Sequence, residues 1–280
     1  MKKISDGLIK DYTTYKLSGK MSDIYIPEDV LELKELLTKH KKYKILGNGS
    51  NLIINESYDG IFIKLSSFND VSFNGKIVKV GSDYNLSKLS RECARKGLSG
   101  LEFACGIPGT IGGAIYMNAG AYGRNISDVL KSVTILDDEL NVRTLDNKDL
   151  DFDYRNSIFK RKKFIILDAT IILKKKDSSI ILDEISDIME SRRSKQPLEY
   201  PSAGSVFRNP PGFSAGRLVQ KAELQGAYVG DAEVSMKHAN FIINKGNASA
   251  DDIVSLIEMV KRKVKEKFNV DLELEQEIVK

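Results

Sequence analysis

The sequence predicts a protein that mixes helices and strands along its whole length, of the α+β or α/β class. Short alternating or apolar runs typical of strands recur throughout, and segments with apolar residues at helical spacing lie between them. Of the 280 residues, 41% are hydrophobic and 29% are charged, which is typical of soluble globular proteins. This length is enough for one large domain or for two to three smaller ones.

The first third of the chain predicts strands with two helices between them. A helix begins at Val30 and ends in a lysine-rich stretch over residues 39–44, where cations suit the helix dipole. A second helix covers Leu86–Arg95, and Gly97 is well placed to end it. The predicted strands are Asp23–Pro27, Tyr43–Leu46, Leu52–Ile54, Ile61–Leu65 and Ile77–Val80.

The remainder continues the same mixture. A hairpin is predicted around Asp137-Asp138, and the change of composition near Lys195–Pro201 predicts a domain boundary. Ser249 and Asp252 form a capping-box pattern at the start of the last helix. The strands are Ser132–Leu136, Asn141–Leu145, Phe164–Leu173, Ala239–Asn244 and Val270–Ile278, and the helices are Ile180–Arg193, Ala215–Glu223 and Asp251–Phe268.

Composition and charge argue against several classes of function. The net charge of +4 is too small to indicate nucleic acid, and the basic tract Lys160–Lys163 is interpreted as a solvated loop. No apolar run approaches the roughly 20 residues of a membrane span, and residues 1–20 carry no secretory signal. Cys93 and Cys105 suit a reducing cytoplasm. His40 and His238 have no partners at metal-ligand spacing, so we expect no metal.

Two glycine-rich segments, residues 47–52 and 106–123, are the strongest candidates for a cofactor site. The first is not a Rossmann fingerprint, because Leu52 occupies the place of the third glycine and the chain continues as a strand. The second lacks the Gly-Lys-Ser/Thr ending of a P-loop. Both offer backbone N–H groups free of side-chain bulk, which can bind pyrophosphate. The alternative is that both are tight turns between strands.

Three polar positions are candidates for chemistry. Arg155 lies among apolar neighbours and suits a carboxylate or a developing enolate, although a structural salt bridge is the alternative. Ser205 follows a glycine and could donate a proton, or it could be an ordinary turn serine. In the last strand one face is apolar and the other acidic, so one acid could face a cleft, or all could form a solvated face. Those acids are Asp271, Glu273, Glu275 and Glu277.

Taken together, these segments resemble the UDP-N-acetylenolpyruvoylglucosamine reductase family, in the family's order and over almost the whole chain. The segments are Gly47-Asn-Gly-Ser-Asn-Leu52, Ile107–Gly123, Tyr154-Arg-Asn-Ser-Ile-Phe159, Ala203-Gly-Ser-Val-Phe-Arg-Asn-Pro210 and His238–Asn244. The resemblance implies an α+β protein with an FAD-binding fold of the vanillyl-alcohol-oxidase or p-cresol-methylhydroxylase type and a smaller C-terminal α/β substrate domain. We therefore expect an FAD-binding region over 1–194, in two subdomains of about 1–66 and 67–194, and a substrate domain over 195–280. An alternative returns the last strand to the FAD-binding region.

The resemblance also implies the reaction and the roles of individual residues. NADPH would reduce bound FAD, and FAD would reduce an enolpyruvyl ether of UDP-N-acetylglucosamine to UDP-N-acetylmuramate, a peptidoglycan precursor. Arg155 would stabilise the enolate, Ser205 would protonate it, and Glu275 would assist, while Lys195 and Asn209 would bind substrate. The FAD-binding residues would be Gly47, Asn48, Gly49, Ser50, Asn51, Leu52, Ile107, Pro108, Gly109, Thr110, Gly112, Gly113, Asn118 and Gly120.

The chain also departs from the family's usual pattern. Where the family has Leu-Glu-Pro-Glu-Val-Arg, this chain has Leu272-Glu-Leu-Glu-Gln-Glu277, so Glu273 and Glu277 remain alternatives to Glu275. Only four residues separate Phe159 from Phe164, which indicates the shorter subtype without an inserted tyrosine loop. We expect non-covalent FAD, a monomer, a bacterial cytoplasmic location, and no nucleic-acid or membrane partner. Rival functions are another FAD-dependent oxidase of this fold and a non-enzymatic nucleotide-sugar binding module.

Overall fold

A computed structural model describes residues 1–280 of the chain. It contains α-helices and short 3-10 helices between strands. The α-helices are α1 (Ile9–Tyr12), α2 (Val30–Lys39), α3 (Leu86–Arg95), α4 (Ile111–Tyr116), α5 (Ser178–Lys195), α6 (Ala215–Lys221) and α7 (Ala250–Phe268).

The strands are short, and most have fewer than six residues. They are β1 (Lys2–Ile4), β2 (Ile24–Ile26), β3 (Tyr43–Ile45), β4 (Leu52–Ile54), β5 (Ile61–Ile63), β6 (Val71–Asn74), β7 (Ile77–Gly81), β8 (Leu98–Ser99), β9 (Gly120–Ala121), β10 (Arg124–Asn125), β11 (Leu130–Leu136), β12 (Val142–Asp146), β13 (Ile165–Ile172), β14 (Lys174–Lys175), β15 (Tyr228–Val229), β16 (Ala232–Val234), β17 (Ile242–Asn244) and β18 (Glu277–Val279).

The chain divides into two compact units, each built from separate stretches of sequence. Unit 1 contains residues 1–3, 25–48 and 61–191, and unit 2 contains residues 4–24, 49–60 and 192–280. One crossing of the chain between the units therefore falls inside the first glycine segment, between Asn48 and Gly49.

Unit 1 is built on a five-stranded antiparallel sheet in the order β12-β11-β13-β7-β6. Alternate residues of its central strands point into the core, so Val133 and Ile135 of β11 meet Ala169 and Ile171 of β13 in one buried cluster. Helix α4 lies against β7 and β13 and contributes Ile111, Ala114 and Ile115 to the same cluster. This packing holds the second glycine segment on a rigid sheet.

A four-stranded sheet in the order β1-β2-β5-β3 forms a second layer, in which β3 and β5 run parallel. Helix α2 buries Leu33, Leu36 and Leu37, which share a core cluster with Ile61 and Ile63 of β5. Asp29 caps the start of α2, since its side chain accepts the backbone N–H of Glu32 at 2.9 Å. Strand β3 leads directly into the first glycine segment.

Unit 2 combines a three-stranded sheet, β15-β16-β17, with helix α7. The helix buries an apolar stripe of Ala250, Ile253, Leu256, Ile257, Val260 and Val264. Ser249 and Asp252 form the predicted capping box. Strand β18 pairs in parallel with β4, which joins the end of the chain to the strand that follows the first glycine segment.

The predicted α+β class is confirmed, and the predicted helices lie where the apolar spacing put them. The predicted strand Val270–Ile278 is wrong over most of its length, because only Glu277–Val279 is a strand. Residues 270–276 meet an irregular segment instead, with a single bridge between Phe207 and Leu274. The strand predicted over Ala239–Asn244 begins only at Ile242, after a turn. None of the helices has both the length and the apolar composition needed to cross a bilayer.

Candidate functional site

The two glycine segments meet in unit 1. The Asn48 side-chain amide donates to the Pro108 carbonyl at 2.7 Å, and a Cβ placed on Gly47 would lie 2.8 Å from Thr110 Oγ1. Gly47 therefore has to be glycine because the second segment approaches its backbone too closely for a side chain. The sequence predicted each segment as a cofactor-binding candidate, and in the structure they lie against one another.

A partly buried ion pair between Lys64 and Asp83 contacts the first segment. Lys64 Nζ donates to the Gly47 carbonyl at 3.2 Å and lies 3.4 Å from the Asp83 carboxylate. Burial raises the pKa of the Asp83 carboxyl above its usual value, against the opposing effect of Lys64. Lys64 thus fixes the Gly47 backbone through the carbonyl, while Asp83 offsets its charge.

The second glycine segment contains a helix that the sequence analysis interpreted as loop. Thr110 caps α4 through its hydroxyl, which accepts the Gly113 N–H at 3.2 Å, and the Gly112 N–H donates to the Ser82 carbonyl at 2.7 Å. A Cβ on Gly112 would lie 3.1 Å from the Ser82 Cβ. Gly112 has no positive φ, so this position needs glycine for close packing against Ser82.

The first segment fits a pyrophosphate-containing cofactor such as FAD. The backbone N–H groups of Gly47 and Asn48 donate to no acceptor in the protein, and neither is part of a strand or helix. Ser82, under Gly112, keeps a buried hydroxyl without a partner. Asn48 is exposed and Gly47 partly buried, so their N–H groups are open to a ligand that brings its own acceptors. The buried Ser82 hydroxyl lacks the partner that buried polar groups normally find.

The rest of the first segment belongs to unit 2 and has the same character. Gly49 has a φ of +59°, and a Cβ there would lie 2.1 Å from the Tyr12 carbonyl oxygen, so only glycine fits. The N–H groups of Gly49 and Ser50 also donate to no protein acceptor. Asn51 donates its side-chain amide to the Glu275 carbonyl at 3.1 Å, and Leu52 begins the strand paired with β18.

Arg155 lies in a tight turn of unit 1 in which Asp153 and Asn156 exchange backbone hydrogen bonds at 3.2 and 3.1 Å. Its φ is +53°, a left-handed conformation that is uncommon outside glycine. Its guanidinium donates to the Gly120 carbonyl at 2.8 Å and lies 5.2 Å from the Tyr154 ring centroid. The predicted residues Arg155 and Gly120 are thus in contact.

Two buried side chains, Asn118 and Ser157, link the Arg155 turn to the end of α4 and the residues that follow it. Asn118 has a φ of +42°, and its side-chain amide donates to the Asp153 carbonyl at 3.0 Å. Its side-chain oxygen accepts the Ser127 N–H at 3.4 Å. Ser157, fully buried, donates its hydroxyl to the Tyr116 carbonyl at 2.7 Å. The amide of Asn118, predicted to bind cofactor, is therefore engaged with protein backbone.

Ser205 lies in unit 2 directly after Gly204, which has a φ of +73°. Its hydroxyl makes no hydrogen bond within the protein and is partly exposed, as a proton donor to a ligand should be. The next two residues are fixed by Asn240, because Val206 donates to its backbone carbonyl at 2.9 Å and Phe207 to its side-chain oxygen at 3.0 Å.

Glu275 runs alongside this turn. Its backbone N–H donates to the Val206 carbonyl at 2.8 Å, so the structure brings the predicted residues Ser205 and Glu275 onto paired segments. Glu273, an alternative, has a side chain that is 76% exposed and lies 3.6 Å from Arg208. Glu277 belongs to β18 and donates its N–H to the Asn51 carbonyl at 2.9 Å.

The two predicted substrate residues lie apart from these contacts. Lys195 is exposed at the end of α5, and Asn209 accepts the Ala215 N–H through its side-chain oxygen at 3.0 Å, at the start of α6. Neither makes a hydrogen bond to Ser205 or Glu275. Asn209 thus has a structural contact that the sequence pattern did not indicate.

The two histidines are engaged in packing. His238 meets Phe241 edge-on with ring centroids 4.7 Å apart, and burial lowers the pKa of its imidazole. His40 packs against Tyr25 at 5.3 Å. Neither lies in a glycine segment, and no three metal-binding side chains converge in the structure.

Sequence reasoning missed Tyr15 and Gln276, which are buried beside the Ser205 turn. The Gln276 amide donates to the Ala203 carbonyl at 3.1 Å and the Gly204 carbonyl at 3.3 Å, and the Tyr15 hydroxyl donates to Gln276 Oε1 at 3.0 Å. The one sequence signal for Gln276 is that it occupies an apolar position in the alternating segment Val270–Ile278, whose other residues are apolar or acidic.

Two family models match separate parts of the chain. A family model described as an FAD binding domain matches residues 24–145, and another described as the C-terminal domain of UDP-N-acetylenolpyruvoylglucosamine reductase matches residues 196–279. The first match confirms the FAD-binding fold that the resemblance implied.

Proteins similar to this chain over nearly its whole length belong to the same family. UDP-N-acetylenolpyruvoylglucosamine reductase of Oceanobacillus iheyensis is 47% identical over 280 residues, covering 98% of this chain and 91% of that protein. The Clostridium novyi enzyme of the same name is 44% identical, covering 97% and 90%. The crystal structure of the reductase from Thermus caldophilus superimposes with a TM-score of 0.86 at 36% identity, covering 100% of this chain and 98% of that one. The chain therefore belongs to the UDP-N-acetylenolpyruvoylglucosamine reductase family.

Proposed function

We propose that this protein reduces the enolpyruvyl ether of UDP-N-acetylglucosamine to UDP-N-acetylmuramate, with NADPH as reductant and non-covalently bound FAD as cofactor. The proposal rests on two features that occur together in this chain: a backbone site for pyrophosphate and a candidate proton donor. In the first glycine segment, the backbone N–H groups of Gly47 and Asn48 have no acceptor in the protein. The Ser205 hydroxyl is also without a partner, and the segment that carries it pairs with the segment that carries Glu275. A pyrophosphate site and a proton donor are what a flavin-dependent reduction of a C=C bond needs.

The first glycine segment would hold the FAD pyrophosphate through backbone N–H groups, with Lys64 fixed beside it. Pro108, Gly109, Thr110, Gly112 and Gly113 would present a surface without bulky side chains, on which the cofactor can approach the backbone. When bound, FAD would supply the hydride-transfer chemistry between NADPH and the CH₂ carbon of the enolpyruvyl group.

The protein's own residues would then stabilise the enolate charge and supply the proton. When hydride adds to the CH₂ carbon, negative charge develops on the neighbouring carbon and its carboxylate. Arg155 would stabilise that charge with its guanidinium, and Ser205 would donate its hydroxyl proton to the carbon. A serine hydroxyl is a weak acid, so Glu275 on the paired segment would assist the transfer, and the serine regains its proton from water. Lys195 and Asn209 would contact the substrate from the C-terminal part, which we assign as the substrate-binding domain.

The test is an absorbance spectrum of the purified protein followed by two half-reactions. We expect flavin absorbance, bleaching by NADPH under anaerobic conditions, and reoxidation by the enolpyruvyl sugar. A colourless protein that gains no absorbance with added FAD would exclude the proposal. Rapid reoxidation by oxygen with none by the enolpyruvyl sugar would favour an oxidase acting on another substrate.

The cofactor assignment has its own prediction. Gly112→Val places a branched side chain against Ser82, so we expect the variant to purify with little FAD. Gly123→Ala is the matched control from the same segment, because its φ of +76° costs conformational energy while its Cβ would meet nothing within 4 Å. The flavin-to-protein ratio measures both, with circular dichroism to check folding. Normal FAD content in a folded Gly112→Val variant would show that this segment does not hold the cofactor.

A further inference from the structure

Gln276 is a buried residue whose side-chain amide contacts the backbone that leads into Ser205. It follows Glu275 in sequence and is only 3% exposed. Its side-chain nitrogen donates to both the Ala203 and the Gly204 carbonyls, at 3.1 and 3.3 Å. The Gly204 carbonyl belongs to the peptide group that joins Gly204 to Ser205, so this contact fixes the plane of the peptide that carries Ser205.

The orientation of this amide is fixed by its surroundings. The two backbone carbonyls can only accept hydrogen bonds, so the NH₂ group of Gln276 must face them. Its oxygen then faces the Tyr15 hydroxyl, which donates to it at 3.0 Å. Tyr15 is fully buried, and burial raises the pKa of its phenol, so the hydroxyl stays protonated as a donor across the working pH range. Its own backbone carbonyl accepts the Asn244 side-chain amide at 3.0 Å.

Ser205 is therefore held from both sides while its own side chain is free. Before it, the Gly204 carbonyl is bound by Gln276, and after it the Val206 N–H is bound by the Asn240 carbonyl. A freely rotating turn would spread the hydroxyl over many positions. A turn with both flanking peptides fixed gives it a small set of directions, which is the condition for efficient proton donation.

We infer that Tyr15 and Gln276 are positioning residues for the proton donor Ser205: Tyr15 orients the Gln276 amide, and the amide fixes the peptide that carries Ser205. This inference rests on the proposed function, because it takes Ser205 to be the proton donor. Under this inference Tyr15 contributes to the reoxidation half-reaction, although it lies 261 residues from Gln276 in sequence.

The test is Tyr15→Phe, which removes one oxygen atom and leaves the ring. We expect reoxidation of the reduced enzyme by the enolpyruvyl sugar to slow by about 10-fold, a fraction of what a misplaced reacting group costs. Reduction by NADPH should stay within about twofold, because Ser205 takes no part in that step. Tyr84→Phe is the matched control: Tyr84 is also buried and donates its hydroxyl, to Glu92 at 2.6 Å, within unit 1. The control should leave both half-reactions unchanged.

A double-variant cycle separates positioning from general loss of structure. If Tyr15 acts through Ser205, Tyr15→Phe slows reoxidation in the native chain and has no further effect in a Ser205→Ala background. Equal slowing in both backgrounds would overturn the inference and leave the role of Ser205 intact. A Ser205→Ala variant that reoxidises normally would overturn both the inference and the proposed proton donor. If Tyr15→Phe cannot be purified, Gln276→Met, which removes the amide at similar volume, undergoes the same cycle with the same outcomes.

Discussion

The turns that carry Arg155 and Ser205 belong to different units, yet they are built on the same plan. Each has a positive φ at its tip, and each is held by a buried side-chain amide. Asn118 donates to one backbone carbonyl of the Arg155 turn, and Gln276 donates to two of the Ser205 turn. They differ in which residue carries the unusual backbone. At Ser205 it is the preceding Gly204, with φ +73°, and at Arg155 it is the catalytic candidate itself, with φ +53°.

This difference shows two ways to place a functional side chain. Gly204 adopts its conformation without a steric cost, so the Ser205 turn needs only hydrogen bonds to fix its direction. Arg155 bears a conformation that costs an L-residue about 1–2 kcal/mol, and the surrounding contacts must hold it there. Asn118, Ser157 and the Gly120 carbonyl provide those contacts. Strain at Arg155 is therefore maintained by the residues packed around it.

The largest expected effect comes from removing the guanidinium. Arg155→Ala should slow reoxidation of reduced flavin by the enolpyruvyl sugar by about 10²–10³-fold, as loss of a donor to a developing oxyanion typically does. Reduction by NADPH should change far less. Arg161→Ala is the control, because Arg161 lies six residues on and pairs with Asp151 on the surface at 2.7 Å. Equal losses in both half-reactions of Arg155→Ala, measured by stopped flow, would assign Arg155 to folding instead.

A smaller effect should follow from loosening the Arg155 turn. Ser157→Ala removes a fully buried hydroxyl bonded to the Tyr116 carbonyl at 2.7 Å, and we expect about a 10-fold slower reoxidation through misplacement of Arg155. Ser90→Ala is closely matched, since Ser90 is 2% exposed and donates to the Leu101 carbonyl at the same 2.7 Å. Both variants should lose similar thermal stability. If the two also lose the same amount of reoxidation rate, Ser157 has no special connection to Arg155.

The smallest effect tests the backbone difference directly through stability. At both tips glycine should be more stable than alanine: Gly204→Ala should cost about 1 kcal/mol, and Arg155→Gly should be about 1 kcal/mol more stable than Arg155→Ala. This is the reverse of the usual order, in which alanine loses less entropy on folding. Thermal unfolding of the apoprotein measures it. An Arg155→Ala variant more stable than Arg155→Gly would mean that position 155 carries no strain.

The parts of the fold that sequence predicted are those with a local cause. Helices α2, α3 and α7 have regular apolar spacing and capping residues, and their bounds were close. Helix α4 was missed because glycine is a poor helix former. It forms because Ile111, Ala114 and Ile115 bury against the sheet and because Gly112 lets the helix approach Ser82. Both causes are tertiary and leave little local trace.

In the candidate site, too, only some of the residues could be predicted from sequence. Motifs located Arg155, Ser205 and the glycine segments because their residue types carry the chemistry. The residues that hold them could not be predicted. Tyr15 and Gln276 are 261 positions apart, and their contact follows from the fold alone. The alternation over Val270–Ile278 predicted a regular strand, but residues 270–276 pair with the irregular Ser205 turn through the single bridge between Phe207 and Leu274, so a regular strand does not form there.

The central claim is that both turns serve the second half-reaction, with Ser205 as the proton donor. The most direct measurement is the stopped-flow reoxidation of reduced Ser205→Ala by the enolpyruvyl sugar, beside its reduction by NADPH. The substitution removes one hydroxyl with no partner in the protein, so folding, FAD content and the reduction rate should be retained. We predict that reoxidation falls by at least about 10²-fold, the low end of what a positioned acid contributes. Reoxidation at the native rate would contradict the account and leave Ser205 an ordinary turn residue, with Glu275 the next candidate for the proton.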